Sequence, residues 1–514
     1  MSAPDHNPVM KSLSDRLDKL GNLACSTGFN PIYAAGMLLV LLLGTGLLDF
    51  QRYWSGILLR IFIILALLGL AFIFSRCRDK TRYLQLALFI PFTIDYLLHF
   101  LFILLTVLLF RRRLLLPFSS PLKPIYLLLG WSFFSFIWGQ FSEFNPLSLP
   151  FFLLTFFLPF TFFALFAGQA NKENSNRLLS FFTWTVVLNN CLIVMQLLLL
   201  PSLHVDKFGG GTGKSHFAAA LSSLAFILSL LALAGKPGKR KKIRHLLVLF
   251  STPPIFFFID AKQFLVLIAF FGLFIALLYL IRKPAWSLTL FGLIAAGLLY
   301  WAVFTPGGLP LSAHHANLDY FQLPKVSAAF FASPKIRLVR LGAGRLAADP
   351  AKFIIGTGPG TFISKAANLK HYLAEGKNVR SFAGFRSRLP WLDAWLEPVY
   401  TRQQLQYQYL LKVATYRTGN LFSSKSTLLA VWLESGLIGL LLLLYFFLNL
   451  TRRARPPSGR PVDPGPGRAL LFLSLFILGA SFLFYWLETQ SFAMTAYALL
   501  AILWIKAQAE PTSS

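Results

Sequence analysis

A helix needs about 20 consecutive apolar residues to cross the hydrocarbon core of a bilayer, and this chain supplies such runs repeatedly. They lie near 32–49, 55–75, 84–110, 124–140, 148–168, 178–200 and 215–234, and again near 245–259, 264–281, 285–304, 427–449, 469–486 and 489–506. Each is read as helix, because an open sheet edge leaves backbone donors and acceptors unsatisfied in lipid. No period of 20–50 residues recurs, which excludes a solenoid. The expected fold is an all-α polytopic membrane protein, a bundle of 12–14 transmembrane helices with one long, mostly helical extracytoplasmic loop. The N-terminal helices occupy 1–304, the loop 305–425, and three C-terminal helices 426–514.

Charge supports this reading. Only 13% of the 514 residues are charged, about half the share in a soluble protein, so a soluble one- or two-domain enzyme is excluded. The 48 Lys and Arg against 19 Asp and Glu do not imply a nucleic-acid partner, because cytoplasmic loops of membrane proteins collect basic residues. Residues 235–245 hold six of them, 282–283 are Arg-Lys, and 452–468 hold five Arg. These three segments fall on one side if the intervening runs each span once, which makes them and the C-terminus cytoplasmic. The run 84–110 does not fit: Arg76–Arg82 and Arg111–Arg113 flank it, so it is either a re-entrant hairpin or it places one basic cluster outside. The N-terminal stretch lacks a signal-peptide pattern, so the spans themselves are expected to drive insertion. Cys25, Cys77 and Cys191 are too few and scattered for a disulfide framework or a zinc cage, and Cys191 reads as a small buried residue within its apolar run.

The segment 305–425 carries 16 Lys and Arg against five Asp and Glu. So long a connection folds as a subdomain rather than a bare loop, with short amphipathic helices expected at 335–348 and 395–416. Arg337, Arg340 and Arg345 cluster within three turns. They suit an anionic ligand such as a diphosphate, since the guanidinium fork matches phosphate oxygens; attraction to anionic lipid headgroups is the plainer alternative.

Gly209–Ser215 (GGGTGKS) looks like a nucleotide-binding loop and is not one. Position 208, where the first glycine belongs, is Phe208, and no strand precedes it. Free N–H groups in such a loop can still bind an anion, and a plain interhelical turn is the equal alternative. Asp260-Ala261-Lys262 sits at the outer end of an expected proline-broken hairpin at Pro253-Pro254, where Asp260 either neutralises Lys262 or serves chemistry. Asp95, His99, Asn189 and Asn190 lie within spans and are read as interhelical hydrogen-bonding groups. No His, Cys and Asp cluster has metal-ligand spacing, so no metal or other cofactor is expected.

Two segments say more together. One is Asp349–Phe362 (DPAKFIIGTGPGTF); the other runs from Ser423 through Lys425-Ser426-Thr427 to Glu434-Ser435-Gly436-Leu437-Ile438-Gly439, where the chain returns to the membrane. This arrangement resembles the bacterial O-antigen ligase/polymerase superfamily, membrane glycosyltransferases acting on polyprenyl-diphosphate-linked glycans. Arg337 matches that family's arginine, Gly356, Gly358 and Gly360 its glycine turn, and Glu434, Gly436 and Gly439 its last motif. Lys262 stands where the family usually has a basic residue at the outer end of an earlier span. At the position of the ligase branch's His-Asn, this chain has Lys425-Ser426.

The resemblance implies an inverting, metal-independent glycan polymerase, with no cofactor, facing the periplasm from the bacterial inner membrane. Its substrate would be an undecaprenyl-diphosphate-linked glycan. Membrane lipid and other polysaccharide-assembly proteins are the implied partners. Lys262 and Arg337 would clamp the diphosphate, with Arg340 and Lys214 as further candidates, and Lys425 would hold the acceptor. An ammonium is a poor base unless burial lowers its pKa, so the missing histidine favours polymerase over ligase. A ligase transferring glycan to lipid A-core stays open, as does a flippase of lipid-linked sugars. A flippase is expected to show paired repeats with charges near the midplane, whereas charge here concentrates in one outer loop.

Overall fold

A helix made almost wholly of apolar residues has no polar face to turn to water, so its outward stripe must meet lipid. Trp54–Arg76 behaves this way. Ile64, Leu67, Ala71 and Phe74 are buried, while Leu58, Ile61, Phe62 and Leu65 are exposed on the opposite face. In the computed structural model this pattern repeats around a helical bundle. The structure describes residues 30–45, 54–93, 96–114, 121–142, 148–200, 208–234, 238–258, most of 264–275, 349–359, 426–453, 465–483, 487 and 490–508.

The helices are α1 (Asn30–Gly44), α2 (Trp54–Arg76), α3 (Thr81–Phe89), α4 (Tyr96–Leu114), α5 (Lys123–Ser142), α6 (Ser148–Phe152) and α7 (Phe160–Gln169). They continue as α8 (Lys172–Leu199), α9 (Ser215–Ala234), α10 (Lys239–Phe258), α11 (Pro350–Ile355), α12 (Thr427–Arg453), α13 (Gly465–Leu483) and α14 (Gln490–Gln508). A π-turn, Leu153–Phe157, joins α6 to α7. No strand occurs among the described residues. Four of the described helices are long and apolar enough to cross a membrane: Glu173–Leu199, Ser215–Leu233, Thr427–Arg453 and Ser491–Gln508. Five shorter apolar helices accompany them. The chain is a helical membrane protein. The run 285–304 and the expected helices at 335–348 and 395–416 lie outside the described residues, as does Asp95.

The run 84–110 is a hairpin. Tyr83 Oη lies 2.7 Å from Thr106 Oγ1 and its ring stacks on Phe102 and meets Phe110. At the tip, His99 Nε2 reaches the Ile90 carbonyl at 3.0 Å. A 3₁₀ turn at Ile90–Phe92, with Pro91 inside it, ends the first arm, and the second arm begins at Tyr96. The ascending arm, nine α-helical and three 3₁₀ residues, rises only about 20 Å, short of the ~30 Å core. Both basic flanks, 76–82 and Arg111, therefore share one end.

Other pairings bring further basic helix ends together. Asn449 Nδ2 donates to the Pro121 carbonyl at 3.3 Å, so α5 and α12 run antiparallel with Lys123 near Arg452–Arg453. Lys506 donates to Asn176 at 2.9 Å, and Arg244 donates to Ser180. Midway along α8, Asn190 ties three helices: its Nδ2 donates to Ser251 at 3.0 Å in α10, and its Oδ1 accepts from Ser222 at 2.8 Å in α9. Such interhelical hydrogen bonds contribute about 0.6 kcal/mol each in lipid. Asn190 and His99 thus serve the interhelical role expected of them.

Two expectations are corrected. Pro253 and Pro254 do not break the chain into a hairpin: α10 continues through both to Phe258. Membrane helices tolerate proline where neighbouring hydroxyls and helices compensate the lost N–H, and the adjoining Ser251 and Thr252 are engaged with Asn190. Cys191 is exposed, not buried. It falls on the outward stripe of α8 with Trp184, Leu188, Met195 and Leu198, opposite the buried Phe182, Val186, Asn189 and Ile193.

The hairpin makes a direct prediction. Single cysteines at Arg78 and Arg113, in a background with the native cysteines replaced by Ser, should both react with an impermeant maleimide from the same face of sealed vesicles. Labelling from opposite faces would mean that 84–110 crosses the membrane.

Candidate functional site

Helix α12 is broken within its own length. Gly436 has φ 71° and ψ −177°, a region open essentially to glycine alone. The break lies about 24 Å along the helix from Arg452. It ends the first arm, Thr427–Ser435, and strips the carbonyls of that arm's last turn of their intrahelical partners. In lipid each such group is costly, and other segments supply the donors.

The donors come from the glycine turn. Asp349 caps the short α11, accepting from the Lys352 N–H at 3.2 Å, and Pro350 starts it. The helix ends at Gly356, with φ 91° and ψ −179°, followed by Gly358 at φ 100°. In this shape the turn presents successive N–H groups to α12: Thr357 N donates to Leu433 O at 3.0 Å and Gly358 N to Glu434 O at 2.9 Å. Thr357 Oγ1 adds a contact to Leu433 O at 3.2 Å. The approach is as close as backbones allow. A Cβ on Gly356 would lie 2.3 Å from Glu434 O, and one on Gly436 2.1 Å from Ile354 O.

A third element clamps the pair. Ser135 Oγ in α5 shares its proton between Ile355 O at 2.7 Å and Glu434 O at 3.0 Å. Trp131 Nε1 donates to Ser435 O at 2.7 Å, and Ser132 Oγ lies 3.4 Å from Ser435 Oγ. Gly139 leaves room for the turn, since a Cβ there would stand 2.6 Å from Thr357 O. Phe353 meets Trp432 edge to face at 5.8 Å. Glu434 is fully buried, and Gly439 admits Ser435, whose Cβ would lie 2.4 Å from a Cβ there.

The structure therefore brings Gly356, Gly358, Glu434, Gly436 and Gly439 into one junction. Arg337, Arg340, Lys262, Gly360 and Lys425 lie outside the described residues. Trp131, Ser132, Ser135 and Gly139 were not anticipated. Their signal was present as small residues at 132, 135 and 139 on one face of an apolar helix, the pattern of close backbone approach. Asp349 carries a charge whose titration bears on this turn. The Lys352 N–H, with smaller help from the Lys352 ammonium 3.2 Å away, holds its carboxyl below the ordinary carboxylate value. A depressed pKa stabilises above the unfolded value and loses that contribution as pH falls through the folded one, so acid weakens this cap.

Lys214 belongs to a different group of helices. Its glycine loop forms a buried 3₁₀ turn, Gly210–Thr212. Gly210 N donates to Gln196 Oε1 at 2.7 Å and Gly211 N to Asn189 Oδ1 at 2.8 Å. Gln196 Nε2 in turn donates to Thr45 O. The N–H groups at 210 and 211 are thus consumed within the bundle, and the loop is an interhelical plug there rather than an anion cradle. Lys214 itself is exposed, its ammonium 5.6 Å above the Phe217 ring. Among the described residues no three His, Cys, Asp or Glu side chains group as metal ligands.

No protein-family model matches the chain, and no curated protein matches it.

The junction predicts a sharp contrast among glycines. Gly356→Ala and Gly436→Ala should each destabilise by about 3 kcal/mol or more, combining a glycine-only conformation with a backbone clash. Gly36→Ala, whose Cβ meets nothing within 4 Å, should be neutral or slightly stabilising. Thermal unfolding in detergent reads all three, and equal midpoints would contradict the junction. Ser135→Ala should fall between them, at about 1–2 kcal/mol.

Proposed function

We propose that the protein is a glycan polymerase joining undecaprenyl-diphosphate-linked repeat units at the periplasmic face of the bacterial inner membrane. The observation that carries this reading is the docking of the Gly356–Gly358 turn on the Glu434–Gly436 break. The two motifs on which the resemblance rests lie almost 80 residues apart in sequence and meet through backbone hydrogen bonds. The basic helix ends are taken as cytoplasmic. The long 305–425 segment is then periplasmic, and the junction ties a turn within it to the helix that follows it.

In the proposed reaction, a hydroxyl of the acceptor glycan attacks the anomeric carbon of the donor sugar from the face opposite the diphosphate. The new C–O bond forms as the bond to the diphosphate oxygen breaks. Undecaprenyl diphosphate departs with the electron pair, which supplies the driving force where no ATP is present, and the hydroxyl proton passes to water or to a diphosphate oxygen. Lys262 and Arg337 would neutralise charge growing on the leaving group, the kind of stabilisation that contributes most to catalysis. Arg340 and Lys214 are second candidates for the same contact. Lys425, directly before the first arm of α12, would hold the acceptor or its diphosphate. The Glu434 carbonyl supports the turn that follows the arginine cluster.

Arg337→Ala and Lys262→Ala should each lower polymer formation by about 10²-fold or more with undiminished amounts of inserted protein. Arg337→Lys should also be impaired, because the bidentate fork is lost. The assay is purified protein in lipid nanodiscs with undecaprenyl-diphosphate-linked repeat units, with and without lipid A-core, read as a ladder on a gel. A ladder from lipid-linked units alone supports the polymerase. Transfer that requires lipid A-core would overturn it in favour of a ligase.

A further inference from the structure

A half-buried guanidinium with no counter-ion among the described residues stands apart from the junction. Arg244 lies in the second turn of α10 and points back into the bundle. Its Nη1 donates to Ser180 Oγ in α8, and its Nη2 lies 3.3 Å from His245 Nε2. A guanidinium can only donate, so Nε2 accepts, the imidazole proton sits on Nδ1, and Nδ1 donates to Ser229 Oγ at 3.1 Å. His245 is therefore neutral. The Arg244 Nε is buried and has no acceptor. The ion pairs among the described residues are Arg177–Glu173 and Lys352–Asp349, and neither involves Arg244.

Among the described residues the surroundings add positive charge. Lys239, Lys241 and Lys242 precede Arg244 on α10 and are exposed, with no acidic residue in the first turn of the helix. On α8, Asn176 receives Lys506 from α14 one turn before Ser180. Glu173, two turns before Ser180, is exposed and already paired with Arg177 at 3.1 Å. A cation that only marks the cytoplasmic end needs no burial. Arg244 is instead partly desolvated, bonded to neutral groups, and left with a free donor, and a buried charge without a partner is costly.

We propose that Arg244, with Ser180 and Lys241, binds the phosphate of an anionic phospholipid from the leaflet at the basic end of the bundle. A lipid headgroup fits better than a soluble anion because the group lies between helices whose outward faces are apolar: Ile243, Leu247 and Phe250 on α10 are exposed beside it. Acyl chains can lie along that face while the phosphate meets Arg244. Basic pockets between transmembrane helices hold such headgroups.

The test uses the full chain in mild detergent with equal amounts of phosphatidylglycerol and phosphatidylcholine, read by native mass spectrometry. The protein should retain phosphatidylglycerol preferentially, and Arg244→Gln should reduce retention about fivefold or more. Arg452→Gln, an exposed cation at the same end, should leave it unchanged. Equal retention by all three proteins, or equal retention of both lipids, overturns the proposal. Millimolar inorganic phosphate should not displace the lipid; displacement would assign the site to a free anion and overturn the lipid reading. If Arg244→Gln does not yield folded protein, Lys241→Gln, altered at an exposed position, carries the test: reduced retention supports the site and unchanged retention overturns it.

Discussion

Everything at the candidate site depends on the fate of three carbonyls. Breaking a helix inside a bilayer exposes backbone acceptors to a medium with nothing to offer them. Here the oxygens of Leu433, Glu434 and Ser435 accept hydrogen bonds from Thr357, Gly358, Ser135 and Trp131. The break at Gly436 exists because this set of donors does. The converse holds as well: the glycine turn can present consecutive N–H groups only because two residues adopt conformations that other residues avoid, and those N–H groups need acceptors that a continuous helix would not release. Each irregularity satisfies the other, and the serine and tryptophan of α5 hold the two in register.

The same rule explains the other irregular segments. The tip of the α3–α4 hairpin caps itself through His99 and Thr93, both directed at the Ile90 carbonyl. The glycine plug at 210–212 borrows acceptors from Asn189 and Gln196. In each case the non-helical backbone is surrounded by helices and bonded by a polar side chain projecting from one of them. Those side chains look anomalous in an apolar span until their partners are seen, which is why intramembrane polar residues here serve architecture as readily as chemistry.

Helices were legible in the sequence because apolar length alone dictates them; Ser215–Ala234 begins and ends where hydropathy places it. Hairpin or span at 84–110 was not legible, since composition cannot tell a reversal after Pro91 from a helix passing through it; the Tyr83–Thr106 contact does. The prolines of α10 misled for the opposite reason: proline breaks helices in water, and here it sits in a packed helix. At the site, the glycines of the turn and of the break were singled out by the resemblance to a known family, which their spacing alone would not have carried. Trp131 and Ser135 were not, because a partner some 300 residues away leaves no local trace beyond a stripe of small residues.

That separation sets the order of assembly. Ser135 and Trp131 are made first, the turn at 356–359 some 220 residues later, and its acceptors in α12 only after about 75 more. During synthesis the turn therefore exists for a time with no helix to receive it. The early bundle must keep a slot open on α5 for a segment that arrives late, and the exposed face of that helix is the place where a truncated or stalled chain would present its unfinished surface to the lipid.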